Sequence, residues 1–518
     1  MVHSTFENLV AVEIDSPGAG RRRKWWVLAA AVAAIVVVGA AVYLQRTWPF
    51  TQANVIQQLE QATSSSIHVT SFRSVLFPHP GCVAEGVTFE RGTDSKGRTT
   101  LTVEKLVIEG TFTGLFTKHV AAIRAQGAHA RFPPFGTAPS WKPTPSDVVV
   151  DELTANGALL EFARHSSQRP PVTFVVREFV GHHLAARDPM KFELRLHNPT
   201  PPGEVRANGS FGPWKMDQVS ATPVAGSYSF RDADLGVFEG IRGILASDGQ
   251  FHGTLENITV EGATTMPAFE VKGSSHKIGL QSQFHASVDA ANGNVTLDEV
   301  QARMLRTTVV SRGSIAGRPN QEGKTAALDL SVRSGRIQDL LLLFVSEKQS
   351  PLNGVVSLKA RTSIPPGNKP FMQRIRMTGT FGIESALFTK QQTQDSLEKL
   401  SASARGQANQ TDDPQSVLSD LQGRVVVRNG VATFSDLRFR VPGARARVHG
   451  TFDLTTQKVD LHGMLFMDAT LPKATSGIKS FLLKAIDPFL KKNRRGGAKI
   501  PVSITGTYQH PSYNADPV

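Results

Sequence analysis

Residues 420–465 read DLQGRVVVRNGVATFSDLRFRVPGARARVHGTFDLTTQKVDLHGML. Within this stretch Leu437, Phe439 and Val441 alternate with Arg438 and Arg440, and the run from Ala444 to Val448 alternates with Arg445 and Arg447. A period of two sends successive side chains to opposite faces, so each run predicts a strand with one apolar and one charged face. Asn429-Gly430 lies between GRVVVR and VATF, and this dipeptide suits the left-handed positions of a two-residue hairpin turn. Ser435-Asp436 and Pro442-Gly443 punctuate the runs that follow. Strands joined this tightly are antiparallel, because a parallel pair needs a crossover of a dozen residues or more.

The same grammar extends outward. Residues 191–196 (KFELRL) put Phe192, Leu194 and Leu196 on one face, and Asn292-Gly293 separates SVDA from NVTL. A phrase of Gly, then Ser or Thr, then an aromatic or aliphatic residue recurs from Gly110, Gly209, Gly226, Gly313, Gly379, Gly450 and Gly506. It reads as the opening of a strand. Without a strict period it is a degenerate repeat, and repetition of one unit predicts growth along one dimension. Pro-rich stretches at 132–145, 199–203 and 364–370 read as connections within the array. Helical spacing is confined to 51–63, 336–345, 391–402 and 474–492. The expected fold is mainly β: a long antiparallel meander curled into an elongated, twisted groove, with a few short helices.

Composition narrows the function classes. One cysteine, Cys82, excludes an intramolecular disulfide framework and a Cys-based zinc site. The chain carries 57 Lys and Arg against 44 Asp and Glu, a net +13, yet the basic residues are scattered, which argues against a nucleic-acid partner. Phe outnumbers Tyr, 29 to 4, so much of the apolar surface needs no hydrogen-bonded edge. An amphipathic sheet must cover its apolar face. A closed sandwich does so, and so does a groove filled with lipid; the scarcity of helices and the excess of Phe favour the groove. Stacking about 25–30 strands at roughly 4.8 Å gives an array about 120–145 Å long.

Residues 25–44 are uncharged and mostly Ala, Val, Ile and Leu, and 20 residues of helix match the hydrocarbon core. Trp25, Trp26, Tyr43 and Trp48 flank this run, and Arg21, Arg22, Arg23 and Lys24 precede it. The excess of positive charge sets a topology: residues 1–24 as a cytoplasmic tail, 25–45 as a single transmembrane helix, and the rest across the membrane. The run is too long for a signal-peptide core, so it reads as a retained anchor. Residues 46–330 then form an N-terminal part of the exported array, and 331–518 a C-terminal region.

With these features in place, the chain resembles the AsmA-like family, in the group that includes TamB. The similarity rests on the basic tail and membrane helix, IHVTSF at 67–72, FPHPG at 77–81, GVTFE at 86–90 and LTVEKLVIEG at 101–110. It continues through 238–269, the opening stretch 420–465, and IPVSITGTYQHPSY at 500–513. The resemblance implies an inner-membrane-anchored periplasmic protein of a diderm bacterium, with a long β-groove that passes phospholipid between inner and outer membranes. Phospholipid and the inner membrane are then partners, with an outer-membrane or periplasmic protein at the distal end. It supplies no catalytic, cofactor or metal residues. The competing reading is an envelope assembly factor that docks proteins through sheet edges without moving lipid. An anchored hydrolase is a third, without a GxSxG, SxxK or paired-carboxylate pattern behind it.

Phe192, Leu194, Leu196, Leu437, Phe439 and Val441 are the expected groove lining, or else the core of a closed sandwich. In 474–492, Ile478, Phe481, Leu482, Ile486 and Phe489 form a helical stripe flanked by Lys484, Lys491 and Lys492. That segment reads as a cap on the last strands or as a membrane or partner contact. Three other patterns are bland. Residues 317–325 miss the phosphate-loop spacing by one and predict a hairpin loop. His182-His183 lack a third ligand at metal spacing, and Asp232 and Asp234 before Gly236 predict a turn.

Overall fold

The computed structural model describes residues 51–514, apart from 92–97, 134–148, 164–169, 402–417, 468–498 and some shorter stretches. The described chain is mainly strand. It opens with β1 (Ser66–Val75), β2 (Gly81–Arg91), β3 (Thr99–Gly110), β4 (His119–Gln126), β5 (His129–Phe132), β6 (Val149–Phe162), β7 (Val172–Leu184), β8 (Met190–Pro199) and β9 (Pro202–Phe211). Next come β10 (Pro223–Asp234), β11 (Ile241–Arg242), β12 (Ile244–Thr254), β13 (Asn257–Val271), β14 (Ile278–Asp289), β15 (Asn294–Met304), β16 (Thr307–Gly317), β17 (Lys324–Arg336), β18 (Leu352–Ile364) and β19 (Arg376–Phe388). The last are β20 (Ser419–Arg428), β21 (Val431–Val441), β22 (Ala444–Asp453), β23 (Lys458–Met467), β24 (Lys499–Thr507) and β25 (Pro511–Asn514). Short helices are α1 (Gln52–Thr63), α2 (Gly114–Thr117), α3 (Ile337–Leu341) and α4 (Phe371–Arg374).

All 25 strands join one sheet. From β6 onward each strand pairs antiparallel with the next, except that β10 skips the two-residue β11 to reach β12. The sheet is nevertheless mixed. β4 and β5 lie end to end beside β3, and both run parallel to β6. The 133–148 connection is long enough for that crossover. The expected turn at Ser435-Asp436 is a bulge inside β21, where the register slips between Phe434 and Leu437; an extra residue bends a strand without ending it. Asn429-Gly430 does form its hairpin turn, with φ of 52° and 80°.

One face of the sheet is apolar, and it is sealed in two stretches. In the first, Val55 and Leu59 of α1, one helical turn apart, pack into a buried cluster that runs through β1–β7. The second runs from Phe230 on β10 to Ala386 on β19. There α3 and the residues after it cover the strand ends. Ser274 Oγ donates to Leu342 O (2.9 Å), and Asp339 accepts from Arg306 N–H (2.9 Å) and Thr307 Oγ1 (2.8 Å). On the far side Phe371 of α4 is 3% exposed, and its N–H donates to Glu239 O (3.0 Å) beyond the end of β10. Strand twist accumulates across a sheet, so opposite ends of β10 and β18 are brought together and the middle of the sheet closes on side chains.

Candidate functional site

Between and beyond these two sealed stretches the apolar face is only half-buried, and register defines its rows. Leu194 lies opposite Ala207, Ala207 opposite Tyr228, Tyr228 opposite Gly249, and Gly249 opposite Gly262. The Gly-Ser-Tyr phrase from Gly226 sits inside β10 rather than opening it. Its tyrosine accounts for two glycines on the neighbouring strands. A Cβ at Gly249 would stand 2.7 Å from the Tyr228 ring, and one at Gly262 would stand 2.8 Å from both Tyr228 Oη and Phe284 Cζ. The rings therefore lie over bare backbone, which thins the apolar layer there. Tyr228 Oη hydrogen-bonds Ser247 Oγ (3.1 Å), and burial pushes the phenol up to about 12.

Ser247 begins a polar row. It lies opposite Thr264, and Thr264 opposite Ser282; all three are at most 3% exposed. Thr264 and Ser282 hydrogen-bond each other through their hydroxyls. This buried hydroxyl belt crosses β12–β14 where the half-buried stretch meets the second sealed core, because buried hydroxyls must pair. Sequence reasoning missed it. Single Ser and Thr residues in strands carry no signal until register aligns them.

The second half-buried stretch lies on β21–β24. Phe439 stands opposite Ala446, then Leu465, then Ile500; Leu437 stands opposite Val448, then Gly463, then Val502. The strand ends here are sealed, at Val441 (3% exposed) and Met467 on one side and around Val425, Val427 and Ala432 on the other. Within the rows Leu437, Phe439, Ala446, Leu461 and Val502 are half-buried, while Val448, Leu465 and Ile500 beside them are buried.

The expected lining residues fall in these two stretches. Phe192, Leu194 and Leu196 are half-buried on β8; the two leucines lean on the first core, and Phe192 packs by Phe211 and Leu255. Leu437 and Phe439 are half-buried, and Val441 is buried. The two triplets share one face but are separated by the sealed core of β10–β19. Arg21, Arg22, Arg23, Lys24 and the 25–45 helix lie outside the described residues, as do Ile478, Phe481, Leu482, Lys484, Ile486, Phe489, Lys491 and Lys492. Among the described residues no helix is long and apolar enough to cross a membrane.

On the polar face, a cleft of about 630 Å³ crosses β7–β12 beside Arg195, Arg206, Asn208 and Gln250. His183 pairs with Asp188 (3.4 Å), and no group of three metal-ligating side chains occurs among the described residues. Asp234 caps a turn by accepting from Gly236 N–H (2.8 Å). Cys82 is buried, and desolvation raises its thiol to about 12; such a thiol is packing, not a nucleophile. No family model, curated protein or solved structure matches the chain.

Proposed function

We propose that the chain is an inner-membrane-anchored periplasmic protein of the AsmA-like kind, and that its apolar face holds phospholipid acyl chains in transit between membranes. The observation that supports this reading is the middle of β21–β24, where Leu437, Phe439, Leu461 and Val502 are apolar and only half-buried on one face of the sheet. An acyl chain laid on those rows leaves water, and each buried CH₂ contributes about 0.8 kcal/mol. The β8–β12 stretch, with Phe192 and Leu194, is a second such rest. No chemistry is required: the face lowers the cost of exposing the tails.

The test uses the full chain reconstituted in donor vesicles, with a fluorescent phospholipid followed into acceptor vesicles. The expected result is transfer faster than in protein-free controls and lost in the L437D/F439D variant. Transfer no faster than the controls would refute the reading.

One observation favours a second reading. The core of β10–β19 is filled by its own side chains, and the Ser247–Thr264–Ser282 belt puts hydroxyls across the apolar face. A non-transporting assembly factor accounts for that directly, and β1, which among the described residues pairs only with β2, offers it a sheet edge.

A further inference from the structure

On the polar face of the last strands, positive charges meet in register. Arg440 lies directly opposite Arg445, and Arg438 opposite Arg447. Like charges directly opposite on one face destabilise a sheet, so two such pairs side by side need a reason. One pair has a local one. Asp436 accepts from Arg447 Nε (2.8 Å) and Arg438 Nη2 (3.0 Å), and these hydrogen bonds hold its carboxyl below the usual range.

The other pair has no carboxylate partner among the described residues. Asp420 stands opposite Arg440 in register, but its carboxylate accepts from Ser385 N–H (3.3 Å). Instead the row continues from Arg445 to Phe466 and on to Lys499. The Arg445 guanidinium stands 5.7 Å from the Phe466 ring centre, and Lys499 Nζ stands 5.9 Å from it. Two cations thus share one half-buried ring, with Met464 in the neighbouring row opposite Arg447. All three cations of the row are exposed.

We propose that this face, built from Arg440, Arg445, Lys499 and Phe466, docks on a bilayer surface rich in anionic phospholipid headgroups. Charge complementarity selects the occupant. Unpaired cations attract phosphates, and a ring and a thioether set among them suit the boundary between headgroups and tails, where amphipathic groups collect. A headgroup phosphate between Arg440 and Arg445 also removes the repulsion the sheet otherwise carries. The inference stands whether or not acyl chains enter the opposite face.

The test holds the full chain in nanodiscs of phosphatidylcholine and measures flotation with vesicles of phosphatidylcholine alone or with one third phosphatidylglycerol. The wild-type chain is expected to float only with the phosphatidylglycerol vesicles, less so as salt rises. The R440E/R445E/K499E variant should lower the partition coefficient by on the order of a hundredfold, about fivefold per cation. R440Q/R445Q/K499Q relieves the like-charge contacts, so it should fold at least as well and still lose binding. The segment 468–498 is basic too, so K484E/K491E/K492E serves as the comparison and should retain binding. Flotation unchanged in both arginine-row variants, or lost only in the lysine variant, would overturn the proposal. So would equal flotation with phosphatidylcholine alone, or capture by an acidic protein with no vesicle binding.

Discussion

Replacing Phe371 with Ala probes the closure that divides the apolar face. Phe371 is 3% exposed in a core with Leu343 (1%) and Ile364 (0%), and its Cβ and backbone lie close against Gly240, where an added Cβ would stand 2.9 Å from the Phe371 Cβ. Losing the ring forfeits about 2 kcal/mol of transfer free energy. The cavity left between rigid strands adds about 2 kcal/mol more, placing the total within the usual range for Phe to Ala in a core. In a sheet where each strand contacts mainly its neighbours, that loss stays local. Hydrogen–deuterium exchange of the full chain should therefore show β10–β19 opening about a thousandfold more often, with β1–β7 unchanged. Phe112, 50% exposed, is the control, and its replacement should cost under about 0.5 kcal/mol. If F371A leaves protection of β10–β19 as it was, α4 does not seal the sheet and the division of the apolar face falls.

Three further outcomes follow from single side chains. Burial lowers Lys324 to about 7 against an opposing effect of Asp289; its amine donates to Gly293 O. Between about pH 7 and 10.5 the unfolded chain binds the extra proton. Stability of the β14–β17 hairpins should thus rise with pH there by up to about 1.4 kcal/mol per unit, a slope that thermal melts should lose in K324M. Cys82 should resist alkylation at pH 8 in the native chain and react only as β2 opens; rapid labelling would contradict its packing. Gly262→Ala should cost about 1–3 kcal/mol, since its Cβ would meet Asp248 O at 2.7 Å as well as two rings. Gly382→Ala, with nothing within 4 Å, should be nearly neutral in the same melts.

The fold was legible where chemistry is local. Asn429-Gly430 declared its turn through the backbone conformation only such residues accept, and the alternation in 191–196 and 437–448 declared which face is apolar. Ser435-Asp436 misled, because a bulge depends on the neighbouring strand's register, which no single run contains. The parallel junction of β4 and β5 with β6 was hidden for a similar reason: its crossover is Pro-rich and carries no helical period. The glycine phrase was visible as a repeat, but that the copy at Gly226 sits inside β10, and that Gly249 and Gly262 outside the phrase lie beneath Tyr228 and Phe284, emerges only from pairing.

The candidate site was legible to the same degree. Period-two alternation chose Phe192, Leu194, Leu437 and Phe439 as apolar-facing, and they are. It could not say which stretches of that face are sealed, since α1, α3 and α4 close clusters that run through many strands besides their neighbours in sequence, β1–β7 and β10–β19. The cation row of Arg440, Arg445 and Lys499 was equally invisible, because Lys499 follows β23 by more than thirty residues.

The most direct test of the central claim is photo-crosslinking of the full chain mixed with phospholipid vesicles. A photoreactive phenylalanine analogue is placed at Phe439 or Leu461 in the half-buried rows, and at Ala302 or Leu328 in the sealed core. The account predicts phospholipid adducts, attached through their acyl chains, at 439 and 461 and none at 302 or 328. Adducts absent from all four positions, or equal at all four, would contradict it.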